Sequence, residues 1–232
     1  MQFLLITLLA TAAYLENSFV ALTFLLRPLI ALPLLGLWLG DFQSGLMLAL
    51  PAELIFIDEH PLGGHLVPEP APALLAALGG SLLALPAGAA LNSWQQLLVL
   101  LIGLPAAWGF ARLNRLQLLW NQRGDAAFDE VCRQGDRRGY ERLFHRVLLR
   151  SAFAGWGAAL LVTTVAYYLQ QIEVPQWLVA YSAALLLAIL GICVATIIQV
   201  FYRRQLRLQT YLGILAGAGL VVVMLLLRGD LI

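Results

Sequence analysis

The sequence contains no lysine, and charged residues of any kind are scarce. Its 232 residues include 14 arginines and 13 acidic residues, so charged side chains make up 12% of the chain and hydrophobic ones 61%. A soluble domain is about one-quarter charged and about half apolar. The composition therefore excludes an ordinary soluble domain and indicates an integral membrane protein. The formal charge of +1 gives no indication of nucleic-acid binding.

Cysteines and catalytic motifs are also few. Cys132 and Cys193 lie far apart and form no CxxC pair, so we interpret them as packing thiols rather than redox or metal ligands. The chain has no nucleophile elbow, P-loop, HExxH motif or dinucleotide-binding loop. We expect no catalytic residue, no resident metal and no cofactor, and we favour passage of a solute over covalent catalysis.

What the chain has instead is a succession of long apolar segments. A helix of about 20 residues spans about 30 Å of hydrocarbon. The pattern predicts an all-α, polytopic membrane protein, with residues 1–232 forming a single membrane domain of about six or seven transmembrane helices. The predicted long segments are 1–26, 71–91, 97–111, 148–169, 177–202 and 211–227.

Residues 27–70 depart from this pattern. Two short apolar segments, 29–39 and 42–57, are separated by Gly40-Asp41. Free backbone groups at membrane depth are tolerated only where protein or a water-filled cavity surrounds them. The pattern predicts a re-entrant hairpin in which Asp41 caps the second helix. The residues predicted to break its two arms are Pro33, Gly36, Gly45 and Pro51.

Glu53 is the strongest candidate for a functional side chain. It lies in the second arm of the hairpin, and an ionisable group at membrane depth costs about 2.5 kcal/mol or more unless it faces protein or water. Such a residue indicates a binding site. The alternative interpretation is structural, with Glu53 paired to Arg27 or to backbone amides near a helix end.

The stretch after the hairpin, FIDEHPLGGHLVPEP at residues 56–70, gathers polar groups between apolar segments. It holds three acidic residues, two of the three histidines and three prolines. We predict that this loop closes a solute site whose floor is the hairpin carrying Glu53. Besides Glu53, the candidate substrate-binding residues are Asp58, His60, Gly63, Gly64, His65 and Glu69.

Residues 112–150 form an arginine-rich segment with nine arginines against five acidic residues. Apolar side chains recur at helical spacing near both ends of it, so we predict an amphipathic segment. Positive residues favour the cytoplasmic side, which places this segment there, together with Arg203, Arg204 and Arg207. Contact with anionic lipid is the simpler interpretation, and a docking surface for a soluble partner is the alternative.

Three stretches carry a resemblance to a known family. RPLIALPLLGLWLGDFQSG (27–45), AELIFI (52–57) and PLGGHLVPEP (61–70) follow one another in nearly gapless order. This order resembles the IIC membrane subunit of the mannose/sorbose-type phosphotransferase systems. The later segments match that family only in hydropathy and in the position of the central polar segment.

The resemblance implies a multi-pass subunit of the bacterial inner membrane that binds a hexose-type sugar in an oligomer. Its partners would be a IID-like membrane subunit and a IIAB-like cytoplasmic protein, which relays phosphate to the sugar through its own histidines. By the same resemblance, Glu53 matches the carboxylate of the sugar pocket, and residues 61–69 match the loop that completes it.

Two other functions stay open at this point. One is a cation-binding membrane protein, because acidic and histidine side chains close to a membrane pathway suit a cation. Its ligands would be Glu53, Glu59, His60, His65 and Glu69. The other is a scaffold or regulator that keeps the fold without transporting, which the large arginine-rich segment would suit. The identity of the sugar is open as well.

Overall fold

The computed structural model describes residues 1–19, 26–56, 67–122 and 124–202. Throughout these ranges the secondary structure is helical, without a strand. The helices are α1 (Gln2–Phe19), α2 (Pro28–Leu39), α3 (Phe42–Ile55), α4 (Pro70–Leu83), α5 (Ser93–Gln122), α6 (Asp125–Gln134), α7 (Arg137–Leu169) and α8 (Gln176–Tyr202).

The all-helical fold is confirmed for this part of the chain. Three of its helices, α5, α7 and α8, are long and apolar enough to cross a membrane, and α1 to α4 are shorter apolar helices. The number of spans and the single domain remain predictions. Segment 211–227 and the three arginines predicted to mark a cytoplasmic turn lie outside the described residues.

Helices α2 and α3 form the predicted hairpin, with a turn at Gly40 and Asp41. They contain 12 and 14 residues. At about 1.5 Å per residue each is well short of about 30 Å of hydrocarbon. Gly40 has a φ of 97°, which suits glycine. Both Oδ atoms of Asp41 accept backbone N–H groups, from Ser44 at 3.0 Å and from Leu91 at 2.8 Å, so the predicted cap is confirmed.

Glycines allow the two arms of the hairpin to pack backbone against backbone. A Cβ atom on Gly45 would lie 2.5 Å from the carbonyl oxygen of Leu32, and one on Gly36 would overlap the carbonyl oxygen of Asp41. The prediction that four residues break the arms is wrong, because all of them lie inside continuous helices: Pro33, Gly36, Gly45 and Pro51. The glycines are needed for close approach, as in other membrane helix pairs.

Helix α4 occupies the centre of the bundle and contacts α1, α2, α5 and α7. Every residue from 71 to 82 is buried. The predicted segment 71–91 is therefore too long, because the helix ends at Leu83. Pro86 disfavours a helical residue before it, and Gly88 adopts a φ of 79°.

The arginine-rich segment 112–150 is not a separate element. Helix α5 continues to Gln122, and α7 already begins at Arg137, with only the short α6 between them. Its two ends are therefore extensions of long apolar helices, and the amphipathic character of the segment stays a prediction. Of the two predicted packing thiols, Cys193 is buried, whereas Cys132 is exposed, so that prediction was wrong for Cys132.

Candidate functional site

Glu53 lies near the end of α3 and pairs with an arginine at the start of the hairpin. Its Oε1 atom is 3.2 Å from Nη1 of Arg27, which immediately precedes α2. The antiparallel packing of α2 and α3 brings the two residues together although they are 26 positions apart. The ion pair expected under the structural interpretation is therefore present.

The pair leaves one oxygen of Glu53 without a partner. The side chain of Glu53 is 19% exposed and that of Arg27 is 44% exposed. Within the described structure, the buried Oε2 atom of Glu53 accepts no hydrogen bond. A carboxylate oxygen in this state can accept a hydrogen bond from a hydroxyl donor that reaches it.

Glu69 lies at the other end of the predicted loop and is anchored to α5. Its backbone N–H donates to the carbonyl oxygen of Ala107 at 3.1 Å. Its Oε1 accepts a hydrogen bond from Nδ2 of Asn114 at 2.9 Å. Only 4% of Glu69 is exposed, and its Oε2, like that of Glu53, is buried with no partner among the residues described.

A second buried polar pair lies near Glu69. The hydroxyl of Tyr14 in α1 donates to Oε1 of Gln117 at 2.8 Å, and Gln117 is three residues after Asn114 on α5. Where the structure describes the chain, Nε2 of Gln117 has no partner. Sequence reasoning missed Tyr14, Asn114 and Gln117. The available signal was the spacing of Asn114 and Gln117 on one helical face, next to apolar residues.

A cleft of about 660 Å³ opens between the end of α3 and the middle of α5. Its size is in the range of about 300–1,000 Å³ that is usual for small-molecule sites. We call it the α3–α5 cleft. Its lining residues are Ile55, Phe56, Leu104, Pro105, Trp108, Gly109 and Arg112.

The structure brings only part of the predicted site into view. Glu53 and Glu69 are described, and they bind different partners rather than each other. The other candidates, Asp58, His60, Gly63, Gly64 and His65, lie outside the described residues, as does Glu59. In the ranges that can be searched, no group of three or more histidine, cysteine or acidic side chains could hold a metal ion.

The apolar helices and the half-satisfied carboxylates define a helical membrane protein with polar groups held between short helices. The chain belongs to the family of sorbose-specific IIC components of the phosphotransferase system, whose family model matches residues 1–227. It is thus a membrane subunit of a sugar-transport system in which other components carry out phosphoryl transfer. The comparison with curated proteins finds no match.

Proposed function

We propose that this chain is the sugar-binding and translocating IIC subunit of a mannose/sorbose-type phosphotransferase transporter in a bacterial inner membrane. It works in an oligomer with a IID-like membrane subunit and a IIAB-like cytoplasmic protein. The observation that carries the proposal is shared by Glu53 and Glu69. In each, Oε1 is held by a protein donor, and Oε2 is buried without a hydrogen-bond partner among the described residues.

The chemistry of a sugar suits this arrangement. A hexose presents several hydroxyl donors, and a hydrogen bond to an ionised acceptor is stronger than one between neutral groups. Holding Oε1 fixes the direction of the carboxylate before the ligand arrives, which reduces the entropy lost on binding. Glu53 supports this role better than Glu69. Both Oε2 atoms are buried, but the side chain of Glu53 is 19% exposed whereas Glu69 is 4% exposed, so a smaller displacement brings the free oxygen of Glu53 to a ligand.

The remaining predicted loop residues complete the site in this proposal. Asp58, His60 and His65 supply further hydrogen-bonding groups, and Gly63 and Gly64 allow the backbone to approach the sugar closely. The loop follows α3 beside the α3–α5 cleft and ends before α4 at Glu69, whose backbone N–H donates to Ala107 of α5. No cofactor is required, because the phosphate comes from the IIAB-like partner.

Reconstitution tests the proposal. The chain is placed in vesicles with its IID-like and IIAB-like partners, and phosphoenolpyruvate-dependent sugar uptake is measured. We expect Glu53→Gln to lower the kcat/KM of uptake about tenfold or more, because the variant replaces a hydrogen bond to a charged group by one to a neutral group.

A matched control is Glu130→Gln, because Glu130 also pairs with an arginine, Arg133, at 2.8 Å, but on the exposed helix α6. This variant should transport like the parent. If Glu53→Gln also transports like the parent, Glu53 is not part of the sugar site.

A further inference from the structure

Arg112, near the middle of α5, is one of the residues that line the α3–α5 cleft. Its side chain is exposed and lines the cleft. No residue of the described structure forms a hydrogen bond or ion pair with the guanidinium group. Arginine stays protonated at all physiological pH values, so this group is a permanent positive charge with five N–H donors available.

The cleft combines this charge with an apolar wall. Trp108 lies one helical turn before Arg112 on α5, so both side chains project from the same face of one continuous helix. Phe56 and Pro105 complete the apolar lining. Such a site suits a ligand with one apolar face and one anionic group, because the aromatic ring contacts the former and the guanidinium the latter.

The cleft also begins where the proposed sugar site ends. Ile55 and Phe56 line it from the end of α3, only two and three residues after Glu53. At about 1.5 Å per residue, Ile55 lies about 3 Å beyond Glu53 along the axis of α3, although Glu53 itself does not line the cleft. Arg112 is the first residue of the arginine-rich segment, so the cleft opens towards the side that the charge distribution predicts to be cytoplasmic.

We propose that Arg112 binds the phosphate group of a sugar phosphate in the α3–α5 cleft, close to the sugar held by Glu53. This inference rests on the proposed function, in which the sugar leaves this subunit as a phosphate monoester. A guanidinium group binds two phosphate oxygens at once through parallel N–H donors, which lysine cannot do. Arg112 would therefore retain the phosphorylated product and leave binding of the free sugar to other residues.

Arg115 provides a matched control for this proposal. It lies three residues further along α5, is exposed like Arg112, and does not line the cleft. The substitutions Arg112→Gln and Arg115→Gln therefore remove the same charge from the same helix. A contribution that comes only from general electrostatics, from contact with lipid or from helix stability would affect both variants alike.

Ligand titration of the purified full-length chain tests the proposal. The parent and both variants are titrated in a non-ionic detergent with monophosphate esters of glucose, mannose, fructose and sorbose, and then with the free sugars. We expect the ester bound by the parent to bind about tenfold or more weakly to Arg112→Gln and equally well to Arg115→Gln. Arg112→Lys should recover only part of this affinity, and the affinity for the free sugar should be the same in all variants.

The same titration in nanodiscs of phosphatidylglycerol separates a sugar phosphate from a lipid headgroup. If lipid phosphate occupies the cleft, the ester no longer binds there and the proposal fails. It also fails if the parent binds none of the esters, or if the two glutamine variants bind them equally. Failure of the proposed function has a different result, in which Glu53→Gln binds the free sugar like the parent while Arg112→Gln still loses the ester.

Discussion

Glu53 and Glu69 are the same residue type in the same half-satisfied state, but their surroundings differ. Glu53 is partly exposed and pairs with an arginine, whereas Glu69 is buried and its side chain bonds, within the described residues, to an amide. Where the exposed part of a carboxylate such as Glu53 faces a water-filled cavity, as the proposed site requires, it can exchange partners at low cost because water screens the ion pair. A buried carboxylate and its amide partner are costly to separate. The comparison assigns ligand contact mainly to Glu53 and attachment of the chain to α5 mainly to Glu69.

The largest expected effect on stability comes from a substitution that disturbs the packing between the two arms of the hairpin that carries Glu53. In Gly45→Ala the new Cβ meets the backbone of Leu32 and Pro33, which cannot move aside as a side chain can. We expect a loss of about 3 kcal/mol in the free energy of unfolding, at the upper end of the usual cost of overpacking. Thermal and denaturant unfolding in detergent measure it.

Gly157→Ala is the control for this substitution. Gly157 lies inside α7, and a Cβ atom there would meet nothing within 4 Å. It should leave stability unchanged or raise it by up to about 1 kcal/mol through better helix propensity. Equal effects at Gly45 and Gly157 would contradict the close packing of the hairpin.

The second-largest expected effect is the difference between Glu69 and Glu53 in how much each side chain contributes to the free energy of unfolding. Glu69→Ala leaves the partly buried amide of Asn114 without its acceptor and should cost about 2 kcal/mol in the free energy of unfolding. Glu69→Gln keeps an acceptor oxygen and should cost less than half of that. Glu53→Ala should cost under about 1 kcal/mol, because its ion pair is partly exposed. If Glu53→Ala lowers the free energy of unfolding more than Glu69→Ala does, the roles assigned to the two carboxylates are contradicted.

The smallest effect concerns Arg27. Arg27→Gln should change stability by less than about 1 kcal/mol, since its side chain is 44% exposed. Uptake should fall only a few-fold, because Glu53 keeps its charge and loses only the group that orients it. Parallel uptake and unfolding assays of Arg27→Gln and Glu53→Gln check this. A larger loss of uptake in Arg27→Gln than in Glu53→Gln would mean that the ion pair, not the free oxygen, is what transport requires.

The hairpin could be predicted from sequence because local signals define it. Gly40 and Asp41 form the turn that the two residue types favour, and the helix bounds agree with the predicted segments to within two residues. The last described helix, α8, was predicted with similar accuracy, since its apolar segment begins after Pro175. In both places a turn or cap residue coincides with the change in composition.

Elsewhere the ends of the apolar segments do not coincide with the ends of the helices. The uninterrupted apolar run of α5 ends at Ala111, but the helix continues for eleven more residues, because backbone hydrogen bonds do not require an apolar surrounding. Asn114 and Gln117 were therefore assigned to the arginine-rich segment, although Gln117 is buried and bonds to Tyr14 of α1, and Asn114 is partly buried and bonds to Glu69. The burial of Glu69 could not be predicted either, since it depends on contacts between helices that are far apart in sequence.

One binding experiment tests most directly whether the free oxygen of Glu53 contacts the sugar. The dissociation constants of the transported sugar and of each of its deoxy analogues are measured for the parent complex and for Glu53→Gln. If Glu53 accepts a hydroxyl, one analogue should lose affinity in the parent but not in the variant, with a coupling of about 1 kcal/mol or more. Additive losses for every analogue would contradict a hydrogen bond between Glu53 and the sugar.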